Sequence, residues 1–156
     1  MADAGWLDER EARVWQAYRD LTQDLQRAFD RQLERAGGLS GADYALLVPL
    51  SEAADGVVRM RELGHSVGWD RSRLSHQIRR MEKRGLVTRE ECADDGRGAM
   101  VRLTPEGRAA IETAAPGHVA TVRRYFFDQL SAPEQEILGR LFERLAGKLA
   151  ADADER

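Results

Sequence analysis

The sequence predicts a mainly α-helical fold carrying one small β-hairpin, and three observations predict it. Apolar residues recur every three or four positions over long stretches at both ends of the chain. Two shorter helical patterns in the middle are separated by the tight turn Gly68-Trp69 and an Asp70 cap. Two β-like runs, Leu86 to Glu91 and Met100 to Leu103, then flank the turn-rich segment Ala93-Asp94-Asp95-Gly96-Arg97-Gly98.

Taken in order, Asp8 with Glu11 forms a capping-box start. Val14, Tyr18, Leu21, Leu25, Phe29 and Leu33 continue from it as one apolar stripe on a long helix, which Gly37-Gly38 ends. Ser40 with Asp43 opens a second helix carrying Tyr44, Leu47 and Leu50, and Pro49 should bend or weaken its end. Val57 to Met60 reads as a short extended piece, followed by a brief helix from about Arg61 to Val67. Asp70 caps a helix running to about Arg84, with Leu74, Ile78 and Met81 inward, and Gly85 stops it. After the hairpin, Thr104-Pro105 starts another helix, with threonine at the cap and proline in the first turn. Pro116-Gly117 should kink or break that helix, and Val119, Val122, Phe126 and Leu130 continue its pattern beyond. Ser131-Ala132-Pro133-Glu134 starts a last helix striped by Ile137, Leu141, Leu145 and Leu149, and the tail from Ala151 to Arg156 should fray.

Composition narrows the function classes. With 156 residues, 42% hydrophobic and 33% charged, the chain suits one ordinary globular domain. Its longest apolar run, Tyr44 to Leu50, is interrupted by Pro49 and falls far short of the ~20 residues of a membrane span. Met1 to Gly5 lacks the basic and apolar regions of a secretion signal, so an intracellular, cytoplasmic protein is expected. A single cysteine, Cys92, excludes an internal disulfide and a zinc framework. Net charge is −3, yet Arg59 to Arg108 holds 12 cations against 8 anions, which leaves 12 against 19 in the remainder. Phosphate binding follows local potential and not the sum over the chain.

The order helix, tight turn, helix, hairpin lets the second helix enter a major groove while the hairpin reaches an adjacent groove. With Leu74, Ile78 and Met81 inward, a helix of about 100° per residue turns Ser72, His76, Arg79 and Lys83 outward, flanked by Arg71, Arg73, Ser75 and Arg80. Six cations and two anions lie between Asp70 and Arg84, whereas an ordinary solvated face mixes signs more evenly. At the hairpin tip, Arg97 stands between glycines with Asp95 two residues before it. A guanidinium so placed can enter a narrow minor groove, where the negative potential is enhanced.

These blocks taken together resemble the MarR family of bacterial regulators. The likeness is carried by Ser72-Arg73-Leu74-Ser75-His76, Met81-Glu82-Lys83-Arg84-Gly85-Leu86-Val87, Asp95-Gly96-Arg97 and Val101-Arg102-Leu103-Thr104-Pro105-Glu106-Gly107. The blocks follow without gaps, and the flanking helices match the family layout along nearly the whole chain. The resemblance implies a winged helix-turn-helix that forms a homodimer through its N- and C-terminal helices (about 1–36 and 105–150). A DNA-binding lobe at about 40–104 would read double-stranded DNA at a near-palindromic operator. It places Arg71, Ser72, Arg73, Ser75 and His76 at base edges, with Arg79 and Arg80 nearby and the Asp95–Arg97 pair at the tip of the wing. His76 departs from the arginine of many members, so the operator preference does not transfer.

Several readings remain beside that one. The terminal stripes suit dimerisation, and they equally suit packing within one subunit. Small aromatic effectors release many relatives from DNA, and Trp15, Tyr18, Tyr44, Trp69 and His118 are candidates to line such a cavity, although aromatic residues at helical spacing also serve as core. Redox sensing at Cys92 is disfavoured by Glu90 and Glu91, whose charge raises a thiol pKa. His65, His76 and His118 lack ligand-like spacing for zinc. No cofactor is expected. Nor is an enzyme, for there is no phosphate loop, and Gly64-His65-Ser66 is no nucleophile elbow. The alternative to a DNA-binding repressor is a winged-helix module for protein partners, which would want an apolar outer face on the 70–84 helix.

Overall fold

The computed structural model describes residues 5–91 and 98–154, and it divides into two compact units, 1–119 and 120–156. The first unit begins with α1 (Glu9–Gly37) and α2 (Gly41–Glu52). Both open on reciprocal capping boxes, in which Glu11 N donates to Asp8 and Asp43 N donates to Ser40, with each bond returned. A helix start leaves four backbone donors without intrahelical partners, and each box satisfies two donors reciprocally with local side chains. At the end of α1, Gly38 adopts a left-handed φ of 64° and its N–H donates to Glu34 O.

A strand β1 (Val57–Arg59), helix α3 (Met60–Val67) and helix α4 (Arg71–Lys83) follow, then strands β2 (Val87–Glu91) and β3 (Ala99–Leu103) and helix α5 (Pro105–Tyr125). The sheet has the order β1-β3-β2, antiparallel throughout, with Val58 opposite Val101 and Arg89 opposite Val101 on the other side. The core of this unit lies where α2, α3 and α4 meet the sheet. Leu46, Leu47, Leu50, Leu63, Leu74, Ile78, Met81, Val87 and Val101 are all essentially inaccessible to solvent. Each such side chain contributes roughly 1.5–3 kcal/mol relative to exposure. Ile111 and Ala114 bring α5 onto the same core.

The second unit holds the end of α5, a 3₁₀ turn (Phe127–Gln129) and α6 (Ala132–Asp154). Glu134 accepts from both the N–H and the hydroxyl of Ser131, which opens α6. In the first unit, Val14, Tyr18 and Leu21 on α1 are about half exposed or more; so, in the second, are Ile137, Leu145 and Leu149 on α6. Among the described residues, no helix is long and apolar enough to cross a membrane.

The short extended piece expected at 57–60 is the strand β1, an edge of the sheet paired with β3, and Met60 already belongs to α3. Three expectations are corrected. Pro116 and Gly117 do not break α5, which is continuous from Pro105 to Tyr125. Tertiary packing overrides propensity there: Ala114 is buried, a Cβ on Gly117 would lie 2.5 Å from Gln32 Nε2, and His118 packs on Phe29 and Tyr44. Phe126 and Leu130 do not extend α5, since the chain leaves the helix after Tyr125 and Leu130 is extended. The tail is helical as far as Asp154, and Lys148 donates to Asp152 one turn on at 2.7 Å. Helix α2 runs through Pro49 to Glu52.

Candidate nucleic-acid interface

The turn between α3 and α4 depends on two glycines. Gly68 takes a left-handed φ of 66°, which costs a side-chain-bearing residue about 1 kcal/mol or more. Gly64 faces the crossing of the two helices, where a Cβ would come within 3.1 Å of Leu74 Cδ2. Asp70 then caps α4, accepting from Ser72 N at 2.8 Å and Arg73 N at 3.0 Å. The Arg73 N–H bond, more than any other contact, holds this carboxyl below the usual range, so the cap stays ionised.

From that cap, α4 presents Arg71, Ser72, Arg73, His76, Arg79, Arg80 and Lys83 to solvent, with Ser75 half-buried. Among the described residues, no carboxylate pairs with Arg71, Arg79, Arg80 or Lys83. Their charge is therefore uncompensated and can be offered to phosphates. Arg73 is held differently, with its guanidinium 4.1 Å from the centre of the Trp69 ring. Such stacking, worth roughly 0.5–1 kcal/mol at an exposed site, fixes the arginine beside the turn.

The wing is anchored to this helix. Arg89 N donates to Glu82 Oε1 at 3.1 Å, and Arg102 grips Glu90 through Nε at 2.6 Å and Nη2 at 3.3 Å. That contact lowers the Glu90 pKa and raises the Arg102 pKa. At the wing base, Thr104 Oγ1 donates to the carbonyls of Gly85 and Leu86, and Gly107 N donates back to Thr104 Oγ1. The tip itself, with Asp95, Arg97 and Cys92, lies outside the described residues.

The five aromatic candidates fall into three groups. Trp15 and Tyr18 stack on each other, 5.4 Å apart, on the exposed part of α1. Tyr44 and His118 meet at 4.5 Å, with Phe29 at 5.0 Å from the imidazole. Burial raises the Tyr44 pKa and lowers that of His118. Gln32 Oε1 and His118 Nδ1 are buried without a hydrogen-bond partner among the described residues. Trp69, the third group, lines a cleft of about 1020 Å³ with Arg73, Asp30, Glu34, Gly41 and Ala45.

The buried polar cluster behind α4 was not legible as a site. Asp43 is fully buried, and its carboxylate accepts from Ser40 N at 2.8 Å, Gln77 Nε2 at 2.7 Å and Arg84 Nη1 at 2.6 Å. Arg84 Nη2 also donates to Gly38 O at 2.6 Å. The available signal was position: Asp43 stands three, four and seven residues before Leu46, Leu47 and Leu50, on the stripe that is buried. Gln77 likewise shares the stripe of Leu74, Ile78 and Met81.

Residues 37–98 match the model of the MarR family. Sco3205, a MarR family transcriptional regulator from Streptomyces coelicolor solved in complex with DNA, is 41% identical with a TM-score of 0.87, over 92% of this chain and 91% of its own. AbsC, a MarR family transcriptional regulator from the same organism, is 36% identical with a TM-score of 0.87, over 94% and 98%. The transcriptional regulator HosA of Escherichia coli is 31% identical over 83% of this chain and 93% of its own.

Proposed function

Because the chain belongs to the MarR family of transcriptional regulators, we propose that it binds double-stranded DNA sequence-specifically as a homodimer and represses nearby genes. The observation that carries this reading is the row of uncompensated cations on the outer face of α4, in a chain 41% identical to a regulator solved on DNA. Recognition of a protein partner would want that face apolar. Members of the family are generally not enzymes, and no reaction is assigned to this chain.

In this reading Arg71, Ser72, Arg73, Ser75 and His76 approach base edges in the major groove, and Arg79 and Arg80 neutralise phosphates. Asp95 and Arg97 serve the minor groove at the tip of the wing. Residues 1–36 and 105–150 join the subunits, and 40–104 form the DNA lobe. The exposed stripes Val14, Tyr18, Leu21 and Ile137, Leu145, Leu149 support that division, because apolar faces of this kind are covered by a partner. Two-fold symmetry then sets two half-sites about 34–36 Å apart on a near-palindromic operator. The cytoplasm, where the bacterial chromosome lies, is the site of action. Release by a small aromatic effector is supported by the cleft beside Trp69 and Arg73, which opens next to the start of the recognition helix.

Fluorescence anisotropy with the DNA upstream of the gene, against a scrambled duplex and over a salt series, tests the reading. The expected result is tight binding to the first duplex that weakens steeply with salt. Equal and weak binding to both, followed by an empty random-duplex selection, would return the fold to the protein-binding alternative.

A further inference from the structure

We propose that Asp43 is a positioning residue that seats the recognition helix, so that sequence discrimination depends on it although it faces away from DNA. The inference rests on the DNA-binding reading and deepens it. Apolar contact is non-directional, and Leu74, Ile78 and Met81 by themselves would let α4 slide or turn on its bed. The Asp43 carboxylate removes that freedom. It accepts from Gln77 and from Arg84, seven residues further along, so one buried group holds α4 at two places that lie about 10.5 Å apart along the axis.

The other side of the same node is equally fixed. Asp43 is the third residue of α2 and holds the Ser40 N–H through its capping box, while Arg84 reaches across to the carbonyl of Gly38, the residue that ends α1. The end of α1, the start of α2 and the length of α4 are thus tied through one carboxylate with no accessible surface. Buried polar contacts of this kind specify one arrangement among several that apolar packing tolerates. Rotation of α4 by even part of a turn would carry Arg73 and His76 away from the base edges they address.

Asp43→Asn and Gln77→Met test this, since neither alters the cations of the outer face and the second conserves volume in a buried stripe. An operator is first selected from random duplexes with the wild type. Affinity is then measured for that operator and for a scrambled duplex, with far-ultraviolet circular dichroism as the check on folding. The expected result is a loss of about tenfold in the ratio of the two affinities, the size of one mismatched base pair. Affinity for the scrambled duplex should stay within about twofold, because phosphate contacts survive a small misplacement. A folded variant with an unchanged ratio would reduce Asp43 to a purely structural role and overturn the proposal. A parallel fall of both affinities would overturn it too. A wild type that selects no operator would instead overturn the DNA reading on which the proposal rests. Should Asp43→Asn not fold, Gln77→Met alone decides the outcome.

Discussion

Replacing Asp43 by alanine should destabilise the protein by about 3 kcal/mol, and the figure follows from what the carboxylate touches. Its removal leaves the Gln77 amide, only 8% exposed, without its acceptor; a stranded buried donor costs roughly 1–3 kcal/mol. The Ser40 N–H loses its partner as well, which weakens the start of α2 by about 0.5–1 kcal/mol. Arg84 loses an ion pair, but its side chain is 42% exposed and keeps Gly38 O, so water takes over most of that contact. Relief of the desolvation of a buried anion works in the opposite direction. Arg84→Ala should therefore cost more than Asp43→Ala, about 3–5 kcal/mol, because it leaves a fully buried carboxylate without its cation. Urea unfolding at pH 7 and fixed protein concentration measures both, with the slope of each transition checked against wild type. An Asp43→Ala loss below about 1 kcal/mol, or the reverse order of the two variants, would refute the reasoning.

Other consequences follow from single contacts. A Cβ on Gly107 would collide with the Leu86 carbonyl oxygen, which also accepts from Thr104; Gly107→Ala should cost about 1–3 kcal/mol in thermal unfolding, and a change within about 0.5 kcal/mol would show that the wing base yields. Arg79→Ala or Arg80→Ala should each make the slope of log affinity against log salt shallower by about 1.8 in a dimer, one phosphate contact per subunit, and an unchanged slope would remove these residues from the interface. Burial lowers the His118 pKa, so the unfolded chain takes up the proton first as pH falls. Stability is full above the ordinary value of about 6.5 and declines below it, towards the lowered value of the folded state. His118→Phe should lessen the fall in urea midpoint between about pH 7.5 and pH 5.5; an identical fall in both proteins would locate that pH dependence elsewhere.

Much of the fold could be read from local chemistry, and the places where reading failed have a common cause. Asp8 with Glu11, Ser40 with Asp43, and Asp70 were identified as caps from residue type and spacing, and each forms the expected bonds. The outward arc of α4 was legible for the same reason, because helical geometry and the apolar residues Leu74, Ile78 and Met81 leave one possible face for the cations. By contrast, Pro116-Gly117 looked like a break because propensity counts only the chain itself. The structure has Gly117 and His118 packed on α1 and α2, and the helix persists. The aromatic candidates were grouped by type alone, whereas contact divides them into three places.

Sequence alone determined whatever one stretch of chain can satisfy by itself: the helix starts at Asp8, Ser40 and Asp70, the tight glycine turn before α4 and the cationic outer face. These depend on interactions within about one helical turn, and such interactions are written in neighbouring residues. Only tertiary structure decided the pairing of β1 with β3, the continuity of α5, the capture of Arg73 by Trp69 and the burial of Asp43 between Gln77 and Arg84. The last pair of contacts spans 34 and 41 residues of sequence. A carboxylate three residues into a helix reads as a cap in any sequence; the chain must fold back on itself before that same group meets the amide and the guanidinium that hold the recognition helix in place.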